Sequence, residues 1–163
     1  MGLETQEVYR MQVPASFEDR REMCSFELKG VMYMIGGFDK LQRGPTDPGV
    51  DPTPHWKARR QYRINGDKVE EMAKLPFIFQ DGSCINYDGE NVLLVGGWGF
   101  EYDTWTFDGE NYTKLSTETE YDHYGGGVAR YTDNGVHGVV LVAGEFEYFG
   151  TTEFYRYFSN QRP

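Results

Sequence analysis

Three stretches of this chain repeat one order of elements: an apolar strand, a turn, a second apolar strand and a pair of small residues. They read CSFELKGVMYMIGGFD from Cys24, CINYDGENVLLVGGWG from Cys84 and VARYTDNGVHGVVLVAGEF from Val128. Such a unit cannot bury its own apolar face, so neighbouring copies must stack on one another. The small pairs are Gly36-Gly37, Gly96-Gly97 and Ala143-Gly144, at spacings of 60 and 47 residues. Each pair is followed by more strand signal, at Gln61 to Pro76, Thr104 to Ser116 and in FGTTEFYRYFSN near the end. Asn65-Gly66, Asp88-Gly89 and Asp108-Gly109 supply residues that accept positive φ, which predicts two-residue hairpin turns. Each unit is therefore expected to be a four-stranded antiparallel meander, with strands a to d.

Composition agrees with strands and turns. Aromatics make up 16% of the 163 residues, and 20 Gly and 7 Pro are scattered among them, a profile too aromatic for disorder. The net charge of -10 repels phosphate backbones and anionic lipid, so neither nucleic acid nor a membrane is expected as a partner. No apolar run approaches the roughly 20 residues of a membrane helix. The start, MGLETQEVYRMQV, lacks the apolar core of a signal peptide. The two cysteines, Cys24 and Cys84, cannot make a zinc site of four cysteines. They fall at the same place in their repeats, and equivalent positions in neighbouring units are usually too far apart to bridge. They are expected to be reduced, buried thiols. On these two grounds the cytoplasm is slightly favoured as the compartment. Asn111-Tyr112-Thr113 matches the N-glycosylation sequon beside a predicted turn.

A repeat of about 50 residues with a Gly-Gly pair closing strand b and aromatics further on resembles the kelch motif of β-propellers. The residues that carry the resemblance are Gly36-Gly37 with Tyr62, Gly96-Gly97 with Trp105 and Tyr112, and Ala143-Gly144 with Tyr155. Ala143 replaces a glycine, Val69 stands where the late aromatic is usual, and the first b-to-c connection is long. The implied fold is all-β: a kelch-like β-propeller fragment or half-propeller of three four-stranded blades, in one domain over 1–163. The blades are expected at 8–76, with an N-terminal d-type strand, at 77–119, and at 120–163, which lacks its own strand d. Val8 to Pro14 repeats the pattern of Val69 to Pro76, so it is expected to complete the third blade or a partner's. Three blades cannot close a ring, since closed propellers have four to eight. A homo-oligomer is expected, in the simplest case a dimer closing a six-bladed ring.

Strands alternate direction in a meander, so all d-to-a and b-to-c connections emerge on one face. Those connections are long and mix aromatics with charges, as protein-binding surfaces do. The expected partner-binding residues are Trp56, Trp98, Phe100, Glu101, Tyr102, Asp122, His123, Tyr124, Phe146 and Tyr148. The Pro-rich excursion from Asp39 to Arg60 ends in a basic cluster, His55-Trp56-Lys57-Ala58-Arg59-Arg60, suited either to docking on an acidic neighbouring subunit or to a flexible, solvated loop. No catalytic residue, metal or cofactor is expected, because His55, His123 and His137 share no ligand spacing and no nucleophile motif occurs. The expected function is a non-catalytic protein-binding or scaffold module. The alternatives are a purely structural building block and a carbohydrate-binding or hydrolytic propeller.

Overall fold

A computed structural model describes residues 11–14, 17, 20–39, 59–97, 103–119, 125–134, 136–142 and 152–156. The described residues contain eleven strands in three antiparallel sheets. The first sheet is a meander of β1 (Arg20–Leu28), β2 (Val31–Asp39), β3 (Gln61–Asn65) and β4 (Lys68–Glu71). The second repeats that order with β5 (Ser83–Asn86), β6 (Val92–Val95), β7 (Asp103–Phe107) and β8 (Tyr112–Glu118). The third has β9 (Gly127–Asp133), β10 (Val136–Val142) and β11 (Thr152–Arg156), with β10 central. The all-β expectation is met, and the strands fall where the repeats put them.

The turns follow local chemistry. Lys29 and Gly30 join β1 to β2 with φ of 53° and 79°, the doubly left-handed geometry that matches strand twist. Gly66 and Asp67 make the two-residue link from β3 to β4. The two Asp-Gly sites of the second sheet differ from the expectation, because each opens a longer turn. Asp88 accepts the N–H groups of Glu90 and Asn91 on Oδ1, at 2.8 and 2.6 Å. Asp108 does the same for Glu110 and Asn111, both at 2.8 Å. The aspartate side chain thus replaces backbone ladder bonds and holds a four- or five-residue loop.

Those charge-assisted bonds hold the exposed Asp108 carboxyl below its ordinary 3.8, the N–H of Asn111 contributing most. A depressed carboxyl stabilises the fold above its unfolded value, and the contribution disappears as pH falls through the lowered folded value. Asp108→Ala should therefore flatten the loss of stability below about pH 4, measured as urea midpoints against pH. An unchanged acid limb would show that the turn carries no such linkage.

The second sheet is the middle layer, which explains why all four residues of β6 are buried. Val92 and Leu94 face the first sheet and join Phe26, Tyr33 and Phe107 in one core. Leu93 and Val95 face the third sheet and meet Val139 and Leu141. A strand buried on both faces loses the alternation of a surface strand and reads as an unbroken apolar run. The connection from β4 to β5 supplies Leu75, Phe77 and Phe79 to the first core. Phe77 stacks on Trp105 at 4.4 Å and Phe107 on Tyr112 at 4.4 Å, each such pair worth about 0.5–1.5 kcal/mol beyond the area it buries.

Two expectations are corrected. First, Cys24 and Cys84 form a disulfide, with Cα atoms 6.0 Å apart. Relative to the glycine pairs the two are not equivalent: Cys24 lies opposite Ile35, one residue before Gly36, whereas Cys84 lies opposite Leu94, two before Gly96. A one-residue offset in a strand turns the side chain to the other face. Cys24 therefore looks toward the second sheet while Cys84 looks back at the first. The reduced-thiol ground for favouring the cytoplasm is removed.

Second, the N-terminal segment pairs at home. Gln12 bridges Lys68 in parallel and accepts the N–H of Val69 at 3.2 Å, so it extends the outer edge of β4 rather than the edge of β11. Phe17 packs edge-on against Tyr62 at 5.0 Å. Of the basic cluster, 55–58 lie outside the described residues; Arg59 Nε donates to the Leu75 carbonyl at 2.7 Å, and Arg60 lies 3.6 Å from the Glu71 carboxylate.

Candidate functional site

The glycine pairs mark one end of each sheet, the end from which the b-to-c connections leave. Gly36, Gly37, Gly96 and Gly97 all have left-handed φ, between 63° and 97°. Gly36 and Gly37 are held from two sides. Gly37 donates to the Phe79 carbonyl at 2.8 Å, and Arg20 Nη2 donates to the carbonyls of Gly36 and Gly37 at 2.6 and 2.8 Å. The guanidinium fork, with several donors in one plane, suits two adjacent carbonyls.

Aligning the sheets by strand pairing uncovers a second repeat at this end. Glu22, the third residue of β1, and Asp81 and Gly125, each two residues before β5 and β9, occupy equivalent register positions, and their φ values are 57°, 56° and 67°. Asp81 donates its N–H to the Glu22 carbonyl at 3.1 Å, and Gly125 donates its N–H to the Asp81 carbonyl at 2.9 Å. One backbone hydrogen bond thus crosses each sheet-to-sheet junction, at the same place both times. A non-glycine residue in the left-handed region costs roughly 1–2 kcal/mol; the short Asp81 side chain suits it, whereas Glu22 bears the cost without that advantage. Ser83 Oγ adds a bond to the Gly126 carbonyl at 3.0 Å across the second junction.

Around these junctions the side chains are polar and charged. Gln80 Nε2 donates to the exposed Glu22 carboxylate at 3.1 Å, with Arg21 at 3.8 Å from its other oxygen. Among the described residues no group of three His, Cys, Asp or Glu side chains has the closeness of a metal site. What this rim can do chemically is present fixed carboxylates, amides and guanidinium groups to a polar partner.

Trp56, Trp98, Phe100, Glu101, Tyr102, Asp122, His123, Tyr124, Phe146 and Tyr148 all lie outside the described residues. The chain attachments beside them are described, and they fall at the glycine-pair end: Gly97 leads into 98–102, and Gly125 follows 120–124. Residue-type matching missed Arg20 and Glu22. The signal that finds them is strand register, since Glu22 stands to Gly37 as Asp81 stands to Gly97.

No family model matches the chain, and no curated protein matches it. Among solved structures, one entitled "Structure of YjhT" superposes with a TM-score of 0.52 at 14% identity, covering 81% of this chain and 36% of that one. The chain thus spans little more than a third of the length of that protein. At this identity the likeness concerns fold alone, and what it supports together with the three antiparallel sheets is an all-β architecture.

Proposed function

We propose that the chain is a segment of a kelch-like β-propeller that acts as a non-catalytic association module. It completes its ring by self-association and engages a protein partner through the glycine-pair end. The observation that carries this reading is the repeated junction: equivalent left-handed residues, equivalent hydrogen bonds and a doubly buried middle sheet, as expected of blades set side by side around an axis. Three blades fall short of the four to eight of a closed ring. The outward face of the first sheet favours a neighbour as well. Phe17 already covers Tyr62 on that face, but cross-strand register puts Met32 beside Ile64 further along it, and Met32 is 39% exposed. Because Gln12 already extends β4, the dimer would pair by packing of sheet faces and not by strand exchange.

The measurement is native mass. A species of twice the 18.8 kDa chain mass, reduced to monomer by Met32→Asp with the Cys24–Cys84 bridge still formed, would bear the reading out. A monodisperse, well-folded 18.8 kDa species would sink it. The second reading, a structural building block with no other partner, is favoured if the assembled ring pulls down nothing beyond copies of itself and Tyr102→Ala lowers only its own assembly.

A further inference from the structure

We propose that Asn111 is an N-glycosylation site and that the protein matures in an oxidising, glycosylating compartment. Asn111-Tyr112-Thr113 is the only Asn-x-Ser/Thr sequence in the chain. The structure puts it where a glycosyltransferase needs it. Asn111 closes the Asp108 turn at the start of β8, and Asn111 and Thr113 are both exposed. The Asn111 carboxamide makes one long contact, 3.4 Å to Asp108 Oδ2, so little is lost by freeing it. Tyr112 points the other way, its hydroxyl donating to Gln61 Oε1 at 2.6 Å. The middle residue of the sequon therefore anchors the strand while the two outer ones face solvent.

The sister turn gives an internal contrast. Asn91 ends the same Asp-Gly-Glu-Asn motif, but its carboxamide is tied to Asp88 Oδ2 at 2.9 Å and it is half-buried. Val92 and Leu93 follow it straight into the two cores. One copy of the motif is spent on structure, and the other carries the acceptor.

The disulfide is the independent observation. The chain's only two cysteines are bonded to each other, and such bonds form and persist in the secretory pathway and outside cells rather than in the reducing cytosol. N-linked transfer belongs to the same compartments. In the reaction the Asn111 amide nitrogen bonds to the anomeric carbon of an oligosaccharide carried on a polyprenyl pyrophosphate. The anomeric C–O bond breaks, the pyrophosphate leaves with its electron pair, and the nitrogen gives up one proton. Nothing is oxidised or reduced in that step.

Placement fits the rest of the molecule. The Asp108 turn abuts the β1–β2 turn, where Lys29 Nζ donates to the Asp108 carbonyl at 3.0 Å. It lies at the end opposite the glycine pairs, on the middle sheet. An oligosaccharide there obstructs neither the glycine-pair end nor the outward sheet faces, and the inference holds whether or not the ring closes as proposed.

The test is expression of the full chain behind a secretion leader in eukaryotic cells, read by intact mass. The expected wild-type product carries one oligosaccharide, removed by a peptide-N-glycosidase that leaves Asp at 111. Asn111→Gln and Thr113→Ala should each lose the added mass almost completely, and Thr113→Ser should keep it. Secreted wild-type protein with the Cys24–Cys84 bond formed and only the polypeptide mass would overturn the proposal, as would an oligosaccharide that persists in Asn111→Gln.

Discussion

Gly36→Ala is expected to destabilise the protein by about 3–6 kcal/mol, a large share of the total stability of a domain this size. Three terms add up. The backbone at Gly36 has φ of 69°, which costs an L-residue roughly 1–2 kcal/mol. A Cβ there would land on the carbonyl oxygen of Phe79, and relieving an overpacked core costs typically 1–3 kcal/mol. That carbonyl also accepts the Gly37 N–H at 2.8 Å, so the chain cannot retreat without losing a buried hydrogen bond worth about 1 kcal/mol. Phe79 is only 2% exposed and sits in the core between the first two sheets, so the strain is transmitted to the junction. Gly66→Ala is the control. It too has left-handed φ, 61°, but nothing lies within 4 Å of its added Cβ, so it should show the conformational cost alone. Equal urea midpoints for the two variants would mean that the backbones do not approach at Gly36 as closely as described.

The glycine pairs and the strands were legible in the sequence because both leave local marks. A positive φ wants glycine, and a strand with one buried face alternates with period two. What period two does not encode is which neighbour a face meets. Cys24 and Cys84 match by residue type, yet pairing puts Cys24 opposite Ile35 and Cys84 opposite Leu94, and only that register brings their sulfurs together. The same blindness concealed the equivalence of Glu22, Asp81 and Gly125, three unlike side chains doing one backbone job. The Asp-Gly dipeptides at Asp88 and Asp108 by themselves predict tight two-residue hairpin turns. The asparagine three positions on, whose N–H bonds to the aspartate, selects the longer turn. The Val8 to Pro14 pattern signalled a strand but not its partner, since pairing of Gln12 with β4 depends on which edge tertiary packing leaves open. The ten aromatic and charged residues expected to bind a partner sit on connections, where no periodicity constrains a side chain.

Removing the disulfide should have an effect of similar size. Replacing both Cys24 and Cys84 by Ala is expected to cost about 4 kcal/mol, the chain-entropy value for cross-linking residues some 60 apart. The bond joins β1 to β5, the first strands of the first two sheets, beside the Asn86 Nδ2 bond to the Glu27 carbonyl at 2.9 Å. Each four-stranded ladder has its own hydrogen bonds and keeps them without the bridge. The core between the ladders has only apolar packing and a few polar contacts to set against the freedom that the uncrosslinked chain regains. Reduction should therefore loosen the junction first. Urea unfolding of the wild type with and without a thiol reductant, beside the double variant, separates the contributions. Reduced wild type and double variant should share a lowered midpoint, and hydrogen exchange should rise first at Glu22, Asp81 and their strands β1 and β5. If oxidised and reduced protein unfold at the same urea concentration, the bridge contributes nothing to stability, and the junction rests on its core alone.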